Sequence, residues 1–242
     1  VGLEERHRGN QWGVGSGCGS SGAAGSVSGA ARPKRAQLTR SQRAGCAGVD
    51  LDADGSPEIV IVKEYQRSLF TKGDYTALAF TADGVQLWES DHFIGADFDY
   101  ATAPAVSDMD HDGSPEIVLG RVILRADGTT RGVGPYGRGS YGTALIGEIS
   151  LTEGAFPAVS DIDLDGTQEV ITGNAVYGPD GEVKWYDPDQ FDGMIGVANL
   201  DDDPEGEFVA SSFDTVRAVD TNGQVMWGPL PLENANIVSP SC

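Results

Sequence analysis

The residues best placed to do chemistry are carboxylates at fixed intervals. The stretch DMDHDGSPE sets Asp108, Asp110 and Asp112 on alternate positions, follows them with Gly113, and closes on Glu116. Counted from its first aspartate, acids stand at positions 1, 3, 5 and 9 and a glycine at 6. Alternating carboxylates converge on one point when the chain curls around it, and glycine permits the sharp turn. The backbone carbonyl of Ser114, at position 7, and the Glu116 carboxylate then complete an oxygen-only cage. Hard oxygen donors on a flexible loop suit Ca²⁺, whereas Mg²⁺ keeps its waters and Zn²⁺ prefers His or Cys.

The pattern recurs. Asp50, Asp52, Asp54, Ser56 and Glu58 form a first copy, and Asp161, Asp163, Asp165, Thr167 and Glu169 a third. A looser fourth copy offers Asn199, Asp201, Asp203, Glu205 and Glu207, with Pro204 where the others have glycine. Proline cannot take positive φ, so the fourth loop must turn differently. Carboxylates packed this densely repel one another unless a cation neutralises them. The expectation is up to four structural Ca²⁺ ions. An EF-hand is excluded, because it needs a glutamate at position 12 and helices on both sides. Position 12 here is Ile61, Leu119, Thr172 and Ala210. Position 2 is always apolar (Leu51, Met109, Ile162, Leu200), as expected of a side chain anchored in the core. Position 4 varies (Ala53, His111, Leu164, Asp202), as expected of one facing outward, which makes His111 a bystander.

Short strands must hold these loops. PAVSD precedes a loop, and EIVLG, EVITG or EFVAS follows it. A third apolar run enters an Asp-Gly or Asn-Gly turn: Asp83-Gly84, Asp127-Gly128, Asp180-Gly181, Asn222-Gly223. A fourth leaves the turn, with Trp88, Trp185 and Trp227 each four residues after the turn glycine. Such dipeptides between apolar runs are hairpin signals and fit a type I′ turn with two positive-φ residues. Helical periodicity is absent. Four-stranded antiparallel units repeating over 40–60 residues predict an all-β fold, a β-propeller or part of one. Four units are few for a closed propeller. A fragment of a longer one, or an incomplete one with an open edge, is therefore expected, with NANIVSPSC as the start of a further unit.

The motif D-x-D-x-D-G-x-x-E followed by Ile or Val resembles the calcium-binding FG-GAP repeats of integrin α-chain propellers and of bacterial VCBS, or integrin-like, repeat proteins. The resemblance covers residues from about 49 to 235; the literal Phe-Gly and Gly-Ala-Pro signatures are missing, with TAPAV and AFPAV where the second would fall. It implies a calcium-stabilised module displayed outside the cytoplasm, binding a protein or carbohydrate at a cell surface. Two alternatives stand beside it. Some bacterial polysaccharide lyases are similar calcium-loop propellers, which implies an enzyme lined by Arg, Lys and His, residues scarce here. The other is a purely structural segment of a larger surface protein.

Charge separates the chain into two parts. Residues 1–49 hold seven Lys/Arg against two Glu, a net of +5, and Gly, Ser and Ala fill 24 of those positions. Residues 1–48 read as a disordered leader, or as a misassigned start, and residues 49–242 as the repeats. Residues 50–242 hold nine Lys/Arg against thirty-five Asp/Glu, a net of −26, which repels phosphate and argues against nucleic acid. No apolar run is long enough to span a bilayer, and no signal-peptide h-region is visible. Cys18, Cys46 and Cys242 show no metal-ligand spacing.

Catalytic signatures are thin. GRGSYG is no nucleophile elbow, because Arg138 stands where the first glycine belongs. Asp97 and Asp99 form an acidic pair that reads as a solvated loop. The candidate ligand site is GVGPYGRGSYG, where Arg138 between Tyr136 and Tyr141 is suited to stack on a sugar or grip a carboxylate. A connection without function fits the same composition. The tryptophans, at their fixed offset, read as core.

Overall fold

The computed structural model describes residues 46–68, 71–95, 97–98, 102–140, 143–146, 149–152, 154–212 and 215–232. These residues are all-β, with no helix among them. Four antiparallel sheets follow one another along the chain, each a meander of consecutive strands. Sheet 1 holds β1 (Cys46–Val49), β2 (Glu58–Ser68), β3 (Thr71–Phe80) and β4 (Gln86–Glu89), and a short β5 (Phe93–Ile94) also pairs with β3. Sheet 2 holds β6 (Ala105–Ser107), β7 (Glu116–Leu119), β8 (Val122–Leu124) and β9 (Thr130–Val133). A separate hairpin, β10 (Thr143–Ile146) and β11 (Ile149–Thr152), comes next. Sheet 3 holds β12 (Ala158–Ser160), β13 (Glu169–Ile171), β14 (Ala175–Tyr177) and β15 (Val183–Tyr186). Sheet 4 holds β16 (Met194–Ala198), β17 (Glu207–Ser212), β18 (Thr215–Val219) and β19 (Val225–Pro231).

The first strands of successive sheets are neighbours: β1 lies by β6, β6 by β12, and β12 by β16. Each acidic loop joins the first strand of its sheet to the second. The first described strand of sheet 1 starts at Cys46 and pairs with β2 from Ile61 back to Glu58. Residues 1–45 and NANIVSPSC lie outside the described residues.

Side-chain alternation lets one sheet serve two neighbours. On β7, Ile117 and Leu119 pack toward sheet 1 with Leu51, Val60 and Val62, while Val118 packs toward sheet 3 with Val170 and Tyr177. On β13, Val170 faces sheet 2 and Ile171 faces sheet 4, where it meets Phe208 and Val219. Strands buried on both faces read as unbroken apolar runs, which is why EIVL and VIL show no polar alternation. Position 2 of the first three loops joins the next interface: Leu51, Met109 and Ile162 are buried there. Leu200 is 41 % exposed, on the face of sheet 4 against which no described sheet packs.

The hairpin turns differ from the type I′ expectation. Only the glycines take positive φ: Gly84 (88°), Gly128 (82°), Gly181 (81°) and Gly223 (84°). Each turn glycine N–H bonds the carbonyl three residues back, and that residue's N–H bonds the carbonyl four residues on, as in Gly84 to Thr81 and Thr81 to Val85. This is a three-residue loop, a type I turn whose glycine forms a bulge, and the ladder shifts register beside it in all four sheets. The extra residue takes the left-handed demand off Asp and Asn.

Candidate metal centres

Loops 1 to 3 (from Asp50, Asp108 and Asp161) share one construction. The position-1 aspartate accepts the position-6 N–H, from Gly55 (2.9 Å), Gly113 (3.0 Å) and Gly166 (3.1 Å), which curls the chain. Position 4 is also left-handed, at Ala53 (φ 60°), His111 (59°) and Leu164 (56°). Nothing in those residue types announces that conformation, since Asn, Asp and Gly adopt it most readily. The position-9 glutamate uses Oε2 to accept the position-2 N–H, from Leu51 (2.8 Å), Met109 (3.0 Å) and Ile162 (3.0 Å). Its Oε1 is left for the cluster. These bonds bring together Asp50, Asp52 and Glu58; Asp108, Asp110 and Glu116; and Asp161, Asp163 and Glu169, with oxygens within 4.8 Å of one another.

The position-5 residues Asp54, Asp112 and Asp165 stand outside these triads. Each accepts the position-7 N–H, from Ser56 (2.7 Å), Ser114 (2.8 Å) and Thr167 (2.8 Å). Loop 4 is rebuilt, as Pro204 requires: neither Asp202 nor Pro204 takes positive φ. Asn199 turns its amide inward and donates to the Asp203 (2.6 Å) and Glu205 (3.2 Å) carbonyls. The triad there is Asp201, Asp203 and Glu207, at positions 3, 5 and 9, without the Asn199 or Glu205 side chains.

The donor set fits a hard cation. Every triad atom is a carboxylate oxygen, and Glu207 Oε1 and Asp161 Oδ1 are buried without any hydrogen-bond partner. A buried, unpaired carboxylate oxygen is costly unless a positive charge meets it. In loops 2 and 3 a side chain supplies such a charge. Arg131 on β9 reaches Asp110 (2.8 Å) and Glu116 (2.8 Å), and also Asp180 (2.9 Å). Lys184 on β15 reaches Asp163 (2.8 Å), Asp165 (2.9 Å) and Glu169 (2.6 Å). Hydrogen bonds from Arg131 and Lys184 lower the pKa of Asp110 and Asp165. Burial instead raises that of Glu116 and Glu169 in spite of the same cations.

The loop proposed for ligand binding is a tightly bonded connection. Arg138 is 6 % exposed, and its guanidinium donates to the Gly95 carbonyl (2.5 Å), so it does not stand on the surface to grip a ligand. Asp192 pins this segment by accepting the N–H groups of Arg138 (2.8 Å), Gly139 (3.1 Å) and Ser140 (3.0 Å), together with those of Gly173 (2.9 Å) and Gly193 (3.0 Å). Tyr136 is 43 % exposed and stacks on Tyr186 at 3.6 Å and 5°, a contact between loop and β15 that sequence spacing does not reveal. Tyr141 and Asp99 lie outside the described residues. Asp97 is paired with Arg121 (2.7 Å) rather than solvated.

A second polar group, not legible in the sequence, lies on sheet 1. Lys63 meets the Tyr65 hydroxyl (2.6 Å) and Glu89 (3.2 Å), and the Tyr65 ring lies 4.8 Å from that of His92, which bonds Asp74 (2.9 Å). Its members come from β2, β3, β4 and the turn before β5, which only pairing unites.

Among the described residues no helix is long and apolar enough to cross a membrane. No family model and no curated protein matches the chain. Among solved structures it is similar to the exotype rhamnogalacturonan lyase YesX (15 % identity, 81 % of this chain, 50 % of that one, TM-score 0.42). It is also similar to a Bacillus licheniformis rhamnogalacturonan lyase (17 %, 76 % and 50 %, TM-score 0.38). The V. cholerae biofilm matrix protein Bap1 is a third such structure (22 %, 76 % and 38 %, TM-score 0.36). The chain spans about half the length of the lyases it matches.

Proposed function

We propose that the chain is an arc of calcium-stabilised β-propeller blades, of the FG-GAP or VCBS kind, serving as a binding or adhesion module outside the cytoplasm. The observation that carries the metal reading is the carboxylate triad repeated in all four sheets, with Glu207 Oε1 and Asp161 Oδ1 buried and unpartnered. Successive first strands lying side by side support the blade reading. Calcium, when bound, neutralises the triad and ties the loop to the strands on either side of it. Each centre is held by its own sheet, through the Glu Oε2 bond to position 2, so the role is structural. At ~1 mM calcium and a dissociation constant of ~0.1–1 mM, each site stabilises the fold by about 0.4–1.4 kcal/mol. Millimolar calcium is an extracellular condition, which is in keeping with the extracellular reading. A protein or carbohydrate at a cell surface is the proposed ligand.

Metal removal tests this. EDTA lowers the melting temperature by several degrees, and added Ca²⁺ restores it; an unchanged melt by calorimetry overturns the calcium role. Binding to immobilised glycans and surface proteins, lost in EDTA, tests the module reading.

The cluster of Lys63, Tyr65, Glu89 and His92 favours a second reading, a polysaccharide lyase. It combines a cation for a substrate carboxylate with a phenol and an imidazole able to move a proton. Ultraviolet absorbance from unsaturated uronate products, on incubation with acidic polysaccharides and calcium, is the check. A flat trace that persists with every such substrate rejects it.

A further inference from the structure

We infer that loops 2 and 3 carry built-in competitors for their metal, Arg131 and Lys184, and that loop 1 is the chain's tightest cation centre. The inference rests on the calcium reading above.

Arg131 and Lys184 occupy the same place in the repeat, three residues after the turn glycines Gly128 and Gly181. From the fourth strand of the sheet each projects onto its own acidic loop. Lys184 bonds two members of the triad, Asp163 and Glu169, and also Asp165. Arg131 bonds Asp110 and Glu116 of its triad. The Glu116 and Glu169 oxygens they bond are Oε1, the atoms left free by the bonds to position 2. A divalent ion entering loop 2 or 3 must therefore displace a cation already bonded to the oxygens it needs. A tethered ammonium or guanidinium has a high effective concentration there, and its displacement weakens the observed affinity.

The corresponding residues of sheets 1 and 4 are Leu87 and Met226, three residues after Gly84 and Gly223, and both side chains are apolar and exposed (45 % and 37 %). Neither can meet a carboxylate. Among the described residues, loop 1 thus combines a full set of aspartates with no cation bonded to it. Loop 4 also lacks one among the described residues, but it has lost the carboxylate at position 1. Two kinds of centre follow: guarded loops whose charge is partly offset without metal, and open loops that depend on it.

Isothermal titration of Ca²⁺ into the full chain, alongside Lys184→Met, Arg131→Met and Leu87→Lys, tests this. Wild type shows one tight site ahead of weaker ones. Lys184→Met and Arg131→Met each tighten one weak site by tenfold or more, and both melt lower than wild type in EDTA. Leu87→Lys weakens the tight site by a similar factor. Because Leu87 is exposed, this variant keeps the test available if removing a loop-bound cation prevents folding. Calcium binding in wild type with isotherms unchanged in the variants overturns the inference and leaves the calcium reading standing. No calcium binding in any of the proteins overturns both.

Discussion

At the scale of single residues, one carboxylate outside the triads gathers the backbone of several segments. Asp192 accepts five backbone N–H groups drawn from residues 138–140, Gly173 and Gly193, and so fastens three segments of chain. Truncation leaves those donors without an acceptor in a part-buried setting. Asp192→Ala is expected to lower the unfolding free energy by about 2–4 kcal/mol in urea titration. Asp192→Asn should retain part of that loss, since its single carbonyl oxygen still accepts. A smaller effect sits at a turn. The Thr129 hydroxyl and N–H bond the Asp127 carboxylate and hold its pKa below the ordinary value. A depressed folded pKa contributes stability that is present above the unfolded value, near ~3.9, and lost as pH falls through the folded one. The stability difference between wild type and Asp127→Ala should therefore shrink on acidification below about pH 4, as read by denaturant midpoints at each pH.

At the scale of elements, the tryptophan of one sheet and the turn glycine of the next form a repeated joint. A Cβ placed at Gly128 would stand 2.5 Å from the Trp88 ring, and one at Gly223 would stand 2.9 Å from the Trp185 ring. Trp88 also donates from Nε1 to the Ala126 carbonyl in the turn that covers it (2.9 Å). Sheet 2 has Gly132 at the tryptophan position, and there the following turn, at Asp180 and Gly181, packs directly on the backbone. Trp227 holds the same place on β19 and is 41 % exposed, beside exposed Met226 and Leu230. One residue type at one offset thus has two environments. Trp88→Ala is expected to destabilise by about 3 kcal/mol through the lost packing. Trp227→Ala should change stability by no more than about 0.5 kcal/mol, as for an exposed site. Equal losses for the two in chemical denaturation would contradict this account of the joint.

At the scale of the molecule, four sheets share one plan and differ where the sequence breaks the repeat. The acidic excess beyond residue 50 is concentrated in part on the loops, where it is met by Arg131 and Lys184 in two sheets and by neither in the others. β5 and the separate β10–β11 hairpin were not legible in the sequence, whereas the four successive four-stranded units and the positions of their loops were determined by it. These depend on local signals: apolar runs of strand length, Asx-Gly turns, and the nine-residue acidic motif with its glycine. Pro204 likewise announced a different fourth loop, because its ring fixes φ wherever it stands. Tertiary structure decided the rest. It placed Arg138 inside, because Asp192, 54 residues away, draws the loop down. It chose which carboxylates gather, assigning position 5 to the turn and positions 1, 3 and 9 to the cluster in the first three loops, but positions 3, 5 and 9 to the cluster in the fourth. It also put Lys184 on Glu169 and left Leu87 exposed, an outcome of strand pairing and sheet twist. A local pattern reports which residue types lie at which spacing; partners distant along the chain are chosen by packing, whose free energy is shared among many contacts and written in no single stretch.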